Sequence, residues 1–378
     1  MASARGERNN WKTVPIFSSV LFFAGVFCLF GALLLVVQSA GFQSQSTADI
    51  FRIVVVGGTF AIFWAFFGTT ERYWVFPILF ALQFLLSYLM ARYGTAPHSL
   101  ETDLPALKNR LSIDAWVEVI LMVASYVLFL IFFIREGNRF FRTQNEVRLA
   151  GEIHRNLVPQ KHETIDKYEM FGSSVPSSEV GGDLFDIVRS NGRWHAYIAD
   201  VSGHGVPAGI LMSMIKSAAS MQLTKLQQPE ELLRDLNDVL QPVTSPANYL
   251  TFAYVSGAHD DLNFALAGHL PILHYQKQNK AIVELSDSNV PIGMFPGMTF
   301  TISKLNLLPG DLLALITDGF TEVFDSKQSE LGMENFKTTL LSCADQPLPQ
   351  IYQEMRSRTL RFGKQTDDQT MLLIRKLA

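Results

Sequence analysis

The chain has 378 residues, of which 48% are hydrophobic and 17% are charged, and its formal net charge is −4. Soluble globular domains carry about 25% charged residues, so this chain has few charges for its length. The composition excludes a disordered chain and a collagen-like rod. Two Cys residues exclude a disulfide scaffold. The mild net charge, without basic patches that alternate with aromatic residues, argues against nucleic acid as a partner.

Four nearly uncharged runs occupy the N-terminal third of the chain, and each approaches the about 20 residues that a membrane-spanning helix needs. Glu118 is the only charged residue within them. Because buried charges mark ion pathways in membrane proteins, their absence favours an anchor or sensor over a transporter. The four predicted spans cover residues 14–37, 53–70, 73–90 and 115–134.

Basic residues flank this region on both sides. An even number of spans places both flanks on the same side of a bilayer, and the positive-inside rule makes that side cytoplasmic. The pattern therefore predicts a multi-pass protein of the inner or plasma membrane, with the N-terminus and the C-terminal domain in the cytoplasm. The flanking residues are Arg5, Arg8 and Lys12 before the first span and Arg135, Arg139, Arg142 and Arg148 after the last.

A polar segment with regularly spaced apolar residues follows the last run and ends at Pro159. The spacing is close to a 3.5-residue repeat, which predicts either a short parallel coiled coil between two copies of the chain or an amphipathic helix lying on the next domain. The predicted organisation is thus an anchor at 1–134, a linker helix at 135–160 and a C-terminal domain at 161–378. The spaced apolar residues are Phe140, Val147, Ala150, Ile153 and Leu157.

Strand patterns outnumber helix patterns in the C-terminal domain, which favours an α+β fold over a doubly wound sheet. Asn191-Gly192 predicts a tight hairpin because both residues tolerate positive φ. Strands are predicted at 187–189, 194–199, 249–256, 263–267, 300–305, 311–317 and 370–375, and helices at 208–223, 230–240, 334–342 and 349–360.

Acidic residues recur beside glycines or turns at the predicted strand ends. If those ends converge, the carboxylates form a set of hard oxygen ligands that suits Mg²⁺ or Mn²⁺ rather than zinc. So many carboxylates favour two ions, which together can lower the pKa of a shared water and direct it at a phosphorus atom. For any single aspartate, ordinary turn formation is the alternative. The candidates are Asp183, Asp186, Asp200, Asp318, Asp367 and Asp368.

Several other catalytic motifs are missing from the sequence. No Arg lies six residues after Cys343, so the cysteine phosphatase loop is absent, and there is no Walker-type phosphate loop. Gly203–Gly209 has the wrong spacing for a dinucleotide fingerprint, and Ser202 lacks the Gly-x-Ser-x-Gly context of a nucleophile elbow. These absences leave metal-assisted hydrolysis as the chemistry that the acidic residues support.

The motifs resemble, in order, those of the SpoIIE/RsbU-like branch of PPM-type metal-dependent serine/threonine phosphatases. The similarity extends from about Ala150 to Arg375, and the first 140 residues lack it. The resemblance rests on the segments Leu157–Pro159, Ser178–Asp186, Asp200–Gly205, Ala267–Pro271, Leu308–Asp311, Thr317–Glu322 and Asp367–Thr370.

This resemblance implies an αββα sandwich and a site for two Mn²⁺ or Mg²⁺ ions. Asp200 would bridge the ions, with Asp183 and the carbonyl of Val201 serving one of them and Asp318 and Asp367 the other. Asp186 and Asp368 are adjacent and would hold metal-bound waters. His204 and His269 are interpreted as turn or strand-end hydrogen-bonding residues rather than catalytic acids.

The function implied by the resemblance is a membrane-tethered phosphoserine/phosphothreonine protein phosphatase. Its substrate would be a phosphoprotein of a partner-switching pathway, similar to the STAS-type anti-anti-sigma proteins, and the linker helix would pair two chains. One alternative is a sensor histidine kinase with His154 as phosphoacceptor, although His154 is expected on a solvated helix face. The other alternative is a membrane receptor whose phosphatase domain is inactive.

Overall fold

The computed structural model describes residues 11, 14–40, 47–93, 104–190, 192–203, 205–225, 229–243, 249–287 and 289–378. The chain divides into two compact units, Met1–Thr143 and Gln144–Ala378. Their boundary falls inside one long helix, Leu104–Leu157. The sequence predicts boundaries after residues 134 and 160 instead, and that division into anchor, linker and C-terminal domain stays a prediction.

The N-terminal unit is helical and is held together by aromatic side chains. The rings of Phe22 and Phe132 lie 5.2 Å apart between centroids, and Trp64 Nε1 donates a hydrogen bond of 3.0 Å to Gln83 Oε1. Such contacts join neighbouring helices. The helices are α1 (Ile16–Ala40), α2 (Thr47–Thr69), α3 (Phe76–Tyr93), which follows a 3₁₀ turn, and the first part of α4 (Leu104–Leu157).

Two helices among the described residues are long and apolar enough to cross a membrane, at Ile16–Val36 and Leu111–Leu157. The apolar helices at Val54–Thr69 and Tyr73–Leu86 are shorter than that length. Length and composition therefore support two candidate spans, and the bundle of four remains a prediction. Many large apolar side chains of this unit point outward, among them Trp74, Phe84, Tyr126 and Phe133.

The C-terminal unit contains two antiparallel sheets. Sheet A has six strands in the order β1-β2-β11-β10-β7-β8, and sheet B has five in the order β3-β4-β5-β6-β9. Sheet A is built from β1 (Lys161–Ile165), β2 (Tyr168–Val175), β7 (Ile272–Gln276), β8 (Ala281–Leu285), β10 (Leu312–Ile316) and β11 (Gln369–Lys376). Sheet B is built from β3 (Leu184–Ser190), β4 (Arg193–Val201), β5 (Leu250–Ala258), β6 (Asp261–Ala267) and β9 (Ser303–Leu305).

Two helices cover the outer face of each sheet. Side chains of α5 (Val206–Leu223) and α6 (Pro229–Leu240) share one apolar cluster with sheet B and with the interior between the sheets. Those of α7 (Gly332–Cys343) and α8 (Leu348–Phe362) share a second cluster with sheet A. The order of layers is therefore helices, sheet, sheet, helices, and the predicted α+β class is confirmed.

The predicted hairpin is present as β3 and β4. Ser190 pairs with Arg193 across a two-residue turn, and Gly192 has a φ of +74°. Only glycine adopts this conformation at no steric cost. Asn191, the other residue of the predicted turn, lies outside the described residues.

Four strands were not expected from the sequence. β1 is an edge strand with three exposed residues in a row, and β8 is also largely exposed, so neither shows the apolar alternation that marks a half-buried strand. The strands that pair with them, β2 and β7, are not predicted from the sequence either. The predicted strand at 300–305 is limited to Ser303–Leu305.

The end of α4 is part of the C-terminal unit. Ile153, one of the regularly spaced apolar residues of the linker, is 52% exposed. The next residue, His154, is only 3% exposed. The prediction that His154 lies on a solvated face is therefore wrong. Lys216 Nζ of α5 donates a hydrogen bond to the carbonyl oxygen of Leu157, the last residue of α4. Because a helix C-terminus has unpaired carbonyls and carries partial negative charge, a lysine there stabilises the helix end.

Candidate functional site

Four of the predicted aspartates lie at strand ends of both sheets. Asp183 precedes β3 directly, and Asp200 is the penultimate residue of β4, both in sheet B. Asp318 begins the 3₁₀ turn after β10, and Asp367 lies two residues before β11, both in sheet A. The sandwich therefore draws two carboxylates from each sheet toward one site.

The electrostatics show that these groups are close to one another. Burial, followed by repulsion from Asp318, Asp367 and Asp368, raises the pKa of Asp200 to about 7. Burial, followed by repulsion from Asp367 and Glu322, raises the pKa of Asp318 to about 6. Asp200, Asp318 and Asp367 therefore repel one another, and the site brings several negative charges close together.

Asp183 is the most buried of the four, at 2% exposure. Burial and the charges of Asp200 and Asp368 raise its pKa, and the nearby hydroxyls of Thr370 and Thr317 oppose that shift. The Thr317 hydroxyl donates to Asp183 Oδ2 at 2.7 Å. A hydroxyl of sheet A thus holds a carboxylate at the start of sheet B.

Asp368 holds the loop that carries Asp183. Its Oδ1 accepts a hydrogen bond of 2.7 Å from the backbone N–H of Ser177, and its Oδ2 accepts one of 2.7 Å from Gly182. Both carboxylate oxygens are therefore engaged with backbone donors. Asp368 thus shapes the loop, and its predicted role of holding metal-bound water stays a prediction.

Glycines allow the chain segments of the site to approach closely. A Cβ built on Gly182 would lie 2.7 Å from the carbonyl oxygen of Val201, and one on Gly319 would lie 2.1 Å from that of Asp368. Real Cβ atoms are not found at such distances from backbone oxygens. The segments bearing Asp183 and Asp318 therefore require glycine next to the carboxylate.

We expect Gly319→Ala to lower the free energy of unfolding by about 2–3 kcal/mol, because its Cβ would overlap backbone that cannot move as a side chain can. The matched control is Gly137→Ala, where a Cβ meets no atom within 4 Å. Thermal unfolding of the full chain followed by circular dichroism measures both. A midpoint for Gly319→Ala within about 1 °C of wild type would show that this close approach is dispensable.

Asp186 is placed differently from its prediction. It is the third residue of β3 rather than a strand end, and it accepts a hydrogen bond of 2.5 Å from Lys161 Nζ through Oδ1. Its Oδ2 lies 3.2 Å from Lys216 Nζ. The structure therefore pairs Asp186 with two cations instead of bringing it into the carboxylate set.

Of the histidines considered from the sequence, His269 and His154 lie in the described part of the chain. Burial lowers the pKa of His269 to about 4, so it is neutral at physiological pH, and its Nδ1 lies 2.7 Å from Thr251 Oγ1. His204 lies outside the described residues. His154 is enclosed by the domain, close to the backbone of Asp183, so the structure gives no support to a phosphoacceptor role.

Two polar, uncharged side chains of the site were missed by the sequence reasoning. Thr317 contacts Asp183 as described, and Gln369 Nε2 donates a hydrogen bond of 2.9 Å to the carbonyl oxygen of Gly319. Both residues are completely buried. The sequence pattern that could have identified them is a polar residue next to an aspartate: Thr317 precedes Asp318, and Gln369 follows Asp368.

The donor chemistry of the four aspartates fits a divalent metal ion. Carboxylates and backbone carbonyls are the ligands that Mg²⁺ and Mn²⁺ prefer, and the repulsion that raises the pKa of Asp200 and Asp318 is what a cation would relieve. In the described part of the chain, no three His, Cys, Asp or Glu side chains are already grouped as ligands of one ion. The fit therefore rests on the donor types and their charge.

Comparisons with known proteins identify the C-terminal domain. The family model described as "Stage II sporulation protein E (SpoIIE)" matches residues 190–377. Phosphoserine phosphatase RsbU of Bacillus subtilis is 26% identical over 181 residues, which are 47% of this chain and 54% of RsbU. Phosphoserine phosphatase RsbP of the same organism is 28% identical over 184 residues, which are 47% of this chain and 45% of RsbP. The chain thus spans about half the length of these curated relatives.

A solved structure shows the same fold. The SiaA-PP2C domain of Pseudomonas aeruginosa aligns with a TM-score of 0.54 at 20% sequence identity, covering 63% of this chain and 98% of that domain. The matched family model and the relatives above thus identify residues 190–377 as a SpoIIE-family domain, and the SiaA structure shows that its fold is that of a PP2C domain.

Proposed function

We propose that the chain is a metal-dependent phosphoserine/phosphothreonine protein phosphatase. The observation that carries the proposal is the set of four aspartates at strand ends of both sheets, two of which have pKa values raised to about 7 and about 6. Carboxylates that raise one another's pKa by burial and mutual repulsion are typical of a cation site. The phosphoserine phosphatases RsbU and RsbP support the same activity by their similarity.

In this proposal the ligands divide between two Mn²⁺ or Mg²⁺ ions. Asp200 would serve both ions, Asp183 and the carbonyl of Val201 would serve one, and Asp318 and Asp367 would serve the other. Two ions in such a site lower the pKa of a shared water and offset the charge of a phosphate. Because Asp186 and Asp368 already have partners, we propose them as structural residues outside the ligand set.

The protein itself supplies rigidity to the site. Asp368 fixes the loop before β3 through two backbone N–H groups, and Gln369 ties the turn after β10 to the start of β11. These contacts hold the carboxylates in place before substrate binds, which reduces the reorganisation that the reaction requires.

We propose a phosphoprotein of a partner-switching pathway, of the STAS or anti-anti-sigma type, as the substrate. Similarity to RsbU and RsbP supports this substrate class. The inactive receptor remains the competing hypothesis, and the retention of Asp at all four proposed ligand positions argues against it.

Membrane attachment and pairing of two chains complete the proposal. The two long apolar helices and the outward-facing aromatic residues of the N-terminal unit support a multi-pass anchor with both flanks in the cytoplasm. The exposed side chain of Ile153 on α4 supports a homodimer formed through the linker helix.

The test is hydrolysis of a phosphoserine-containing STAS-type protein, and of p-nitrophenyl phosphate, by the full chain purified in mild detergent. We expect turnover with Mn²⁺ or Mg²⁺ and loss of turnover on chelation by EDTA, restored by added metal. Turnover that persists undiminished in EDTA would refute the metal dependence. Absence of hydrolysis of both substrates with either metal, while isothermal titration calorimetry still detects metal binding, would favour the inactive receptor.

A further inference from the structure

Thr317 occupies an unusual place between the two halves of the proposed metal site. It follows β10 of sheet A and directly precedes Asp318, yet its hydroxyl contacts Asp183 of the opposite half. Thr317 is completely buried and Asp183 is 2% exposed. A polar contact so far from water is sensitive to the loss of either partner, because the remaining group is left unpaired.

The hydrogen-bond network fixes the direction of the Thr317 hydroxyl proton. Thr317 Oγ1 accepts the backbone N–H of Thr370 at 3.1 Å, which occupies an acceptor position. Its single proton has two acceptors within reach, Asp183 Oδ2 at 2.7 Å and the carbonyl oxygen of Asp368 at 3.3 Å. The Asp183 oxygen is clearly the nearer of the two acceptors, and only its distance is that of a short hydroxyl hydrogen bond. The proton therefore points at Asp183.

The backbone around Thr317 is fixed as well. Its N–H donates to the carbonyl oxygen of Thr370 at 3.1 Å, so the two residues hold each other by two hydrogen bonds. The Thr370 hydroxyl in turn donates to Ser174 Oγ of β2 at 2.7 Å. Three strands of sheet A, β2, β10 and β11, thus determine where the Thr317 hydroxyl lies.

We propose that Thr317 is a positioning residue that selects the metal-binding oxygen of Asp183. By holding Oδ2, the hydroxyl would leave the other carboxylate oxygen available to an ion and would keep the side chain from rotating. The same residue links the ligand of one ion, Asp183, to the segment that carries a ligand of the other, Asp318. This inference rests on the proposed metal-dependent function.

The test compares Thr317→Val, which removes the hydroxyl at nearly constant volume, with Thr317→Ser, which keeps it. Mn²⁺ binding to the full chain in detergent is measured by isothermal titration calorimetry, without substrate. Partners that orient a metal ligand typically change metal affinity 10–100-fold, so we expect about that loss for Thr317→Val in one of two binding events and less than about 3-fold for Thr317→Ser. Thr359→Val is the matched control, since that buried hydroxyl donates to the Met355 carbonyl in α8.

The outcomes separate this inference from the proposed function. If wild type binds no Mn²⁺, the proposed function fails. If wild type binds Mn²⁺ and Thr317→Val binds it equally well, or if Thr317→Ser loses as much affinity as Thr317→Val, the positioning role is wrong while the function stands. Should Thr317→Val not fold, Thr317→Cys replaces it, because a thiol is a weak donor. Equal affinity of the Cys and Ser variants would then overturn the inference.

Discussion

Asp200→Asn should abolish Mn²⁺-dependent hydrolysis and, in the absence of metal, make the chain more stable than wild type. The first effect follows from the proposed place of Asp200 between both ions. Metal ions stabilise the charge of such a transition state by several kcal/mol, so the loss of a shared ligand predicts a rate decrease of at least about a thousandfold. Asn nearly preserves the volume of the side chain while removing its charge.

The gain in stability follows from the direction of the pKa shift. The pKa of Asp200 is about 7 in the folded chain, above its ordinary value of 3.8. Ionisation is therefore less favourable in the folded state than in the unfolded state, and wild type loses stability as the pH rises from 3.8 to about 7. Asn does not ionise, so the difference in favour of the variant should grow over this interval and be complete above it.

Thermal unfolding in EDTA at several pH values measures this difference. We expect the midpoint of Asp200→Asn to exceed that of wild type by about 2–4 °C at pH 7.5, which corresponds to about 1 kcal/mol for a domain of this size. Added Mn²⁺ should raise the wild-type midpoint and leave that of the variant nearly unchanged. Asp261→Asn on β6, which removes an exposed carboxylate paired with Arg193, is the matched control.

Two results would contradict this account in different ways. Mn²⁺-dependent activity of Asp200→Asn within about tenfold of wild type would remove Asp200 from the shared-ligand role. A lower midpoint of the variant in EDTA would show that the folded chain favours the ionised form of Asp200, and the direction of its pKa shift would be wrong.

Local rules predicted the parts of the site that are close in sequence. The Asn191-Gly192 turn predicted the hairpin of β3 and β4, and the hairpin brings Asp183 to the end of β4, where Asp200 lies. Apolar runs followed by Asp-Gly predicted the strand end before Asp318. In each case the signal is a turn or strand pattern of a few residues, which a sequence displays directly.

Long-range contacts account for what the sequence did not reveal. Asp186 has the same Gly-rich, acidic surroundings as Asp183, and only lysines from β1 and α5 distinguish its role. His154 looks like a surface residue of a polar helix until the domain packs against it. The strand pairs β1–β2 and β7–β8 depend on edge strands whose polar residues show no alternation. Such partners are fixed by tertiary packing.

Asp186→Asn should produce the opposite pattern to Asp200→Asn, with lower stability and nearly unchanged Mn²⁺ affinity. The side chain of Asp186 is 8% exposed, and those of Lys161 and Lys216 are 24% and 17% exposed. Removing one partner of a buried ion pair leaves the other charge unpaired and costs about 3–5 kcal/mol. The partial exposure of both lysines reduces the expected loss to about 2–4 kcal/mol.

The comparison with Asp261→Asn isolates the effect of burial. Both substitutions remove a carboxylate that is paired with a cation, but the side chain of Asp261 is 53% exposed, and surface ion pairs contribute at most about 1 kcal/mol. Thermal unfolding and Mn²⁺ titration of the full chain give both readouts. A loss of Mn²⁺ affinity beyond about tenfold in Asp186→Asn would return Asp186 to the metal site.

The contacts of Lys216 connect Asp186 of β3 to the C-terminal end of α4. Lys216 contacts both Asp186 and the carbonyl oxygen of Leu157, so the carboxylate of β3 orients the lysine that holds the end of α4. Without Asp186, Lys216 keeps only the helix carbonyl as its described partner, and we expect faster amide hydrogen exchange in the last turn of α4. Unchanged exchange there, together with lower global stability, would limit the role of Asp186 to β3 and α5.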